Sequence, residues 1–233
     1  MNEKIFTFWE GPMPAYIKLC MATWKVPHIV LNYETVNDYT GIDINAMKRF
    51  GFAKQADIVR AHVLRDNGGY WLDADTIMLT DRLPEGTVTG YPDERTNTVG
   101  FLHTEPHSDF FEAWAAYQDG VMADPNPSKH WSVVANMFTD PYVREHPEIR
   151  IVDVRKFWPE TYMIKDNIPR CDKYTRFYFG THHHLSDIEP TDMLMLHNSW
   201  TPKWYKDLSE SEVLAHNCTL SNILRELQME DRL

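Results

Sequence analysis

The sequence predicts an α/β domain whose sheet contains parallel strands. Two observations carry that reading. Short apolar runs of strand length alternate with longer runs of helical period over residues 5–79, the order expected when strands are joined by crossover helices. The chain has 233 residues, 43% of them hydrophobic, which fits one sizeable domain with a core of its own.

The elements follow in order. Residues 5–9 read as a buried strand ended by Gly11-Pro12, residues 16–25 as a helix, and residues 28–33 as a second strand. Phe52, Ala56, Val59 and Val63 recur at spacings of three and four, so residues 52–66 read as a helix. Asn67-Gly68-Gly69 supplies the left-handed residues that stop it. Residues 70–79 then read as one long strand. Residues 87–91 and 98–102 are further short strands, 109–118 and 132–138 helices, and 124–127 a proline-bearing loop. Residues 149–153, 174–179 and 193–197 read as later strands. Ser209 opens a final helix through a capping box with Glu212, with Leu208 and Val213 set as a hydrophobic staple. The expected division is a catalytic domain over 1–208 and a C-terminal helix over 209–233. The helix presents Val213, Leu220, Leu224 and Leu227 on one side, a stripe expected to pack on the same domain.

Composition narrows the function. The formal net charge is −11 and no run of Lys and Arg exists, which argues against nucleic acid as a partner. Cys20, Cys171 and Cys218 are odd in number and far apart, against a disulfide framework or zinc ribbon. No run reaches transmembrane length, and Met1-Asn2-Glu3-Lys4 leads straight into the first strand, so a cytoplasmic protein is expected. On the same grounds the sequon Asn217-Cys218-Thr219 reads as chance. Consecutive His182-His183-His184 seldom all face one ion and read as structural, as do His103 and His107 near Glu105.

The chemistry concentrates at Asp73-Ala74-Asp75. On one strand, residues two apart face the same way, so both carboxylates would share a face and repel unless a cation joins them. Hard oxygen ligands suit magnesium or manganese. Upstream, Asp57 and Arg60 are three apart on one helix face; Asp57 can hold the guanidinium while Arg60 faces a sugar or diphosphate.

The run Phe52-Ala53-Lys54-Gln55-Ala56-Asp57-Ile58-Val59-Arg60, then Leu64, then Gly68-Gly69-Tyr70-Trp71-Leu72-Asp73-Ala74-Asp75, resembles the DxD sugar-binding region of glycosyltransferase family 32. That family includes bacterial capsular polysaccharide synthesis proteins, the yeast initiating mannosyltransferase type and, more distantly, the glucosylating clostridial toxins. The resemblance covers roughly residues 4–80 and 190–200. It implies a GT-A fold, with a Rossmann-like central sheet flanked by helices, and a retaining, metal-dependent hexosyltransferase.

Residue by residue, the resemblance implies the following. Trp9, in Lys4-Ile5-Phe6-Thr7-Phe8-Trp9-Glu10-Gly11, stacks on the nucleotide base, unless it is a core tryptophan. Asn32 lies near the nucleotide, unless it is a turn residue, and Trp71 borders the donor. Leu196-His197-Asn198-Ser199-Trp200 is similar to the family's C-terminal motif, so His197, or else Asn198, completes a metal shell with Asp73 and Asp75. Ser199 and Trp200 touch the diphosphate. Arg60 and Asp57 orient the donor sugar. The implied cofactor is Mn2+ or Mg2+ and the donor a nucleotide sugar, UDP-sugar favoured. The acceptor is a glycan or lipid-linked glycan met at the inner face of a membrane. The rival readings are a metal-dependent phosphohydrolase, which would need more clustered ligands, and a carbohydrate-binding module, which would need no Arg60 with Asp73 and Asp75.

Overall fold

The computed structural model describes residues 4–230. Along the chain its elements are β1 (Ile5–Phe8), α1 (Ala15–Ala22), β2 (His28–Leu31), α2 (Ile44–Met47), α3 (Phe52–Asn67), β3 (Gly69–Leu72), β4 (Thr76–Met78), β5 (Val88–Tyr91) and β6 (Thr96–Thr104). Then come α4 (Asp109–Ala123), α5 (Asn136–Glu145), β7 (Ile151–Asp153), α6 (Pro159–Met163), α7 (Arg170–Gly180), β8 (Met193–Met195), α8 (Lys203–Lys206), α9 (Glu210–Ala215) and α10 (Thr219–Glu230). The α/β class is the one expected. The chain divides into two units, one of residues 1–11, 27–73 and 84–154, the other of 12–26, 74–83 and 155–233.

The first unit is built on a six-stranded sheet of order β2-β1-β3-β6-β5-β7. β1 pairs in parallel with β2 and with β3, and β3 pairs antiparallel with β6. α3 packs along β1, β3 and β6, burying Ile58, Val59, Ala61, Val63 and Leu64. The helix covers the whole predicted range, but of the expected stripe Val59 and Val63 are buried, Ala56 is partly buried and Phe52 is 64% exposed. Gly68 and Gly69 end it at φ +64° and +85°, where a side chain is strained. A Cβ on Gly69 would stand 2.5 Å from the Lys4 carbonyl, so only glycine lets β3 run beside β1 from its first residue.

The second unit holds the two-stranded β4-β8 ladder and a group of helices. Tyr16, Ile17, Ile77, Tyr174, Phe177, Tyr178, Leu194 and Tyr205 are buried in it. Trp24 Nε1 donates to the Thr76 carbonyl at 2.8 Å, tying the segment after α1 to β4.

Three expectations are corrected. Residues 70–79 are not one strand. β3 stops at Leu72, Asp73-Ala74-Asp75 forms a break with a turn, and β4 begins at Thr76 in a different sheet. Asp73 and Asp75 therefore do not alternate on one strand face. Residues 174–179 are helix, not strand: the buried positions Tyr174, Phe177 and Tyr178 fall at i, i+3 and i+4, a period that the aromatic run disguised. The single C-terminal helix is two, α9 and α10, parted at residues 216–218. The Ser209–Glu212 capping box forms as expected. Val213, Leu220 and Leu224 are buried, with α10 packed on α7 and α9 of the same unit. Residues 231–233 of the predicted helix, and Met1–Glu3 of the N-terminal reading, lie outside the described residues. Among the described residues no helix is long and apolar enough to cross a membrane.

Candidate active site

In the first unit the parallel strands β2, β1 and β3 end side by side, and the residue that follows each is Asn32, Trp9 and Asp73. The carboxyl edge of parallel strands is where α/β sheets bind ligands. Trp9 is half-buried, donates its backbone N–H to the Leu31 carbonyl at 2.9 Å, and has a buried indole nitrogen with no hydrogen-bond partner. Asn32 serves a turn: its Oδ1 accepts from the amides of Glu34 and Thr35 at 2.8 and 3.0 Å. Glu10 Oε2 accepts from the Tyr33 amide at 2.9 Å, linking the ends of β1 and β2.

Arg60, only 4% exposed, is the hub of this edge. Its guanidinium lies 3.2 Å from Asp57 and 3.0 Å from Asp73, with its centre 5.0 Å from the Trp71 ring. Its Nη1 also donates to the Val99 carbonyl of β6. Trp71 is buried, and its indole N–H donates to Asp73 Oδ1 at 2.9 Å. Two carboxylates thus face one cation. Burial pushes the Asp57 carboxyl up to about 6, opposed by Arg60 and reinforced by Asp73. Of the four residues expected to act together, Asp57, Arg60 and Asp73 meet beside Trp71, through the end of β3 rather than through strand alternation, and Asp75 is not part of this cluster.

In the second unit Asp75 meets the segment after β8. Its Oδ2 accepts from the Asn198 amide at 2.7 Å, and its carbonyl accepts from the Leu196 amide. Asn198 Oδ1 accepts from the Tyr16 hydroxyl at 2.6 Å. Ser199 is exposed, and Trp200 stands 4.1 Å from His197 between ring centroids. His197 Nε2 accepts from Arg170 at 2.6 Å. Burial, then Arg170, lowers the imidazole to about 3, so it is neutral at pH 7. Arg170 is itself held by fully buried Glu160, at 3.2 and 3.0 Å, and lies over the Trp158 ring at 3.1 Å.

Tyr16, Trp158, Glu160 and Arg170 escaped the sequence reading. One signal was available. A helix-period reading of residues 174–178 extends back to Arg170, just after Pro169, and puts a cation on its first turn.

The metal fits part of this donor set. Carboxylate oxygens suit magnesium or manganese, which keep several waters and need few protein ligands. The His197 lone pair at Nε2 is turned to a guanidinium, a partner that a divalent cation could not share. Among the described residues no three His, Cys, Asp or Glu converge as a metal cluster. His182–His184 agree with a structural reading: His183 stacks on Phe177 at 5.2 Å, and His184 pairs with Glu226 at 2.5 Å. His103 stacks on Tyr70, its partner across the β3–β6 pairing, at 4.1 Å.

The profile of the family described as capsular polysaccharide synthesis protein matches residues 1–140. The chain belongs to that family. The match takes in the whole Asp57–Arg60–Asp73 cluster and both residues of the acidic motif. Among solved structures this family member resembles the PaToxG glycosyltransferase, at 17% identity and a TM-score of 0.43, over 63% of this chain and 70% of that one. No curated protein matches significantly.

Proposed function

We propose that this glycosyltransferase moves a hexose from a nucleoside diphosphate sugar, UDP-sugar favoured, to a glycan or lipid-linked acceptor in capsule or cell-surface polysaccharide synthesis. The observation that supports it best is the Asp57–Arg60–Asp73 cluster on Trp71, at the edge where β2, β1 and β3 end. Asp57 and the Val99 carbonyl fix the buried guanidinium, which in turn fixes Asp73, and the Asp73 carboxylate, 36% exposed, would meet a sugar hydroxyl of the donor. Trp9, with its unpartnered indole nitrogen, would cover the base. Asp75, with Asp73 two residues before it, would hold Mn2+ or Mg2+. That ion, when bound, neutralises the charge of the departing diphosphate.

In the transfer the bond from the anomeric carbon to the diphosphate oxygen breaks, and a bond to an acceptor hydroxyl forms. The family resemblance implies retention of configuration. Ser199 and Trp200 would contact the phosphates. The acceptor is expected at the inner face of the membrane, with the protein in the cytoplasm.

The test is incubation with UDP- and GDP-sugars, with manganese and with excess chelator, while following diphosphate release and sugar transfer. Transfer that needs the metal supports the reading. Release of inorganic phosphate instead would favour a phosphohydrolase. Unchanged diphosphate affinity in chelator would remove the metal from it.

A further inference from the structure

Trp131 is an indole that the fold keeps in water. It is 71% exposed, the most exposed large hydrophobic side chain among the described residues. A floppy loop would fold such a ring over the surface, because covering it removes a large apolar area from water. This loop is not floppy. The four residues after Trp131 are all buried: Ser132, Val133, Val134 and Ala135. Trp114 Nε1 and Gln118 Nε2 both donate to the Val134 carbonyl, at 2.9 and 2.6 Å. On the other side, Lys54 Nζ reaches the Lys129 carbonyl at 3.4 Å. The ring is presented on an anchored turn.

Beside it is a second ring with a defined hydrogen-bonding role. The His130 and Trp131 centroids are 5.9 Å apart. His130 Nδ1 receives the Ser132 amide at 3.3 Å and pairs with the Ser132 hydroxyl at 2.9 Å. An Nδ1 that accepts an amide N–H leaves the neutral ring's proton on Nε2, a donor on an exposed side chain. The anchor also reaches the donor-side cluster, since Gln118 Nε2 donates to the Asp57 carbonyl at 2.8 Å. One side chain thus joins the turn that carries Trp131 to the residue that holds Arg60.

We propose that Trp131 and His130 form a subsite for a neutral sugar ring of the acceptor glycan. The indole face takes the ring's C–H face, and the His130 N–H takes a hydroxyl. A flat amphipathic ring with little conformational freedom, next to a hydrogen-bond donor, suits a sugar, which has an apolar face and a polar rim. A protein partner would ask for an apolar interface core, on the order of 800 Å² per side. Here the residues leading into Trp131 are Asn126, Pro127, Ser128, Lys129 and His130, polar but for the proline. The subsite rests on the glycosyltransferase reading for its role, though not for its binding chemistry.

The test uses the full chain labelled with 5-fluorotryptophan, its eight tryptophans resolved by fluorine NMR and the Trp131 resonance identified by its loss in Trp131→Phe. Maltohexaose, cellohexaose and chitohexaose are titrated in turn. The Trp131 resonance is expected to shift saturably with at least one of them. Trp131→Ala should weaken that binding about tenfold or more, while Trp131→Phe, which keeps a ring face, stays within about threefold. The melting temperature of Trp131→Ala should match the parent, because the ring is exposed. A resonance unmoved by all three sugars overturns the proposal. So does one that responds to protein concentration instead, which would mark a surface for another copy of the chain. UDP binding by the wild type is measured in the same samples. Its absence would sink the donor reading, while a saturable shift at Trp131 would still establish the glycan subsite.

Discussion

The two units build the same device twice, an arginine laid over a tryptophan and fixed by a carboxylate, with different partners completing it. Arg60 lies by Trp71 between two carboxylates, both partly exposed. Arg170 lies on Trp158, held by the fully buried carboxylate of Glu160, whose pKa burial raises, and set against a neutral imidazole. Burial pushes the Asp57 carboxyl up to about 6, inside the range a cell visits, with Arg60 opposing the rise and Asp73 adding to it. Burial, then Arg170, holds His197 near 3 and neutral throughout that range. The first cluster is poised to respond to a ligand or to pH, and the second is a fixed brace for the segment that meets Asp75.

The largest effect should come from the residue that the second cluster braces. Asp75→Asn keeps an oxygen for the Asn198 amide but removes the charge that would hold a divalent cation. Sugar transfer should fall by about a thousandfold or more, with little change in melting temperature. Asp73→Asn should instead act first on donor affinity, because Asp73 holds Arg60. Near-normal turnover in Asp75→Asn would locate the metal elsewhere and erase the distinction between the two aspartates.

Stability should separate the two arginines next. Arg170→Ala strands a fully buried Glu160, and breaking a buried pair costs about 3–5 kcal/mol; the lower end is expected, because Arg170 is a quarter exposed. Glu160→Gln combined with Arg170→Ala should recover part of it. Arg60→Ala should cost less, because the carboxylates it leaves, Asp57 and Asp73, are 16% and 36% exposed where Glu160 is fully buried. Chemical denaturation of the three variants tests this, and equal losses for the two arginines would mean that the burial of the stranded carboxylate does not set the cost.

Legibility in the sequence follows the same line. The Arg60 cluster could be read because its parts are local: Asp57 and Arg60 share a helix face by spacing, and Gly68-Gly69 delivers β3 directly after it. The α/β class could be read from the alternation over residues 5–79. The strand break at residues 73–75 could not, because Thr76, Ile77 and Met78 are as buried and strand-like as Gly69–Leu72. Nothing in that run says that its second half pairs with residues 193–195. The Arg170 cluster was hidden for a related reason. It joins residues 158, 160, 170 and 197, and the aromatic run at 174–179 favoured strand over the helix that carries Arg170.

The pH dependence of Asp57 tests how far burial outweighs Arg60. Its carboxyl is raised in the folded state from an ordinary 3.8 to about 6. A raised carboxyl favours the fold at low pH, and that advantage is lost as pH climbs through this window. The melting temperature of the wild type minus that of Asp57→Asn should therefore fall between about pH 4 and pH 6 and level off above, measured without metal. Donor affinity should move the other way, rising as Asp57 ionises and grips Arg60. A difference that stays flat across the window would show that Arg60 fully offsets burial, making the first cluster as inert as the second.

The smallest effect belongs to Trp9, where one residue decides whether the edge of the first unit is a ligand surface or only core. Trp9→Ala should weaken UDP binding by about 1–3 kcal/mol, the range for a base stacked on an aromatic ring. The stability change must be measured alongside, because Trp9 is half-buried and its loss removes apolar contact as well. The indole nitrogen separates the two roles. It is buried without a partner, and such a group costs stability unless a ligand completes it. Trp9→Phe deletes that nitrogen while keeping an aromatic face. If the nitrogen serves a bound nucleotide, Trp9→Phe should melt no lower than the wild type without UDP yet gain less from UDP. If Trp9 is only core, the substitution leaves a cavity, and the variant melts lower by the same margin with UDP or without.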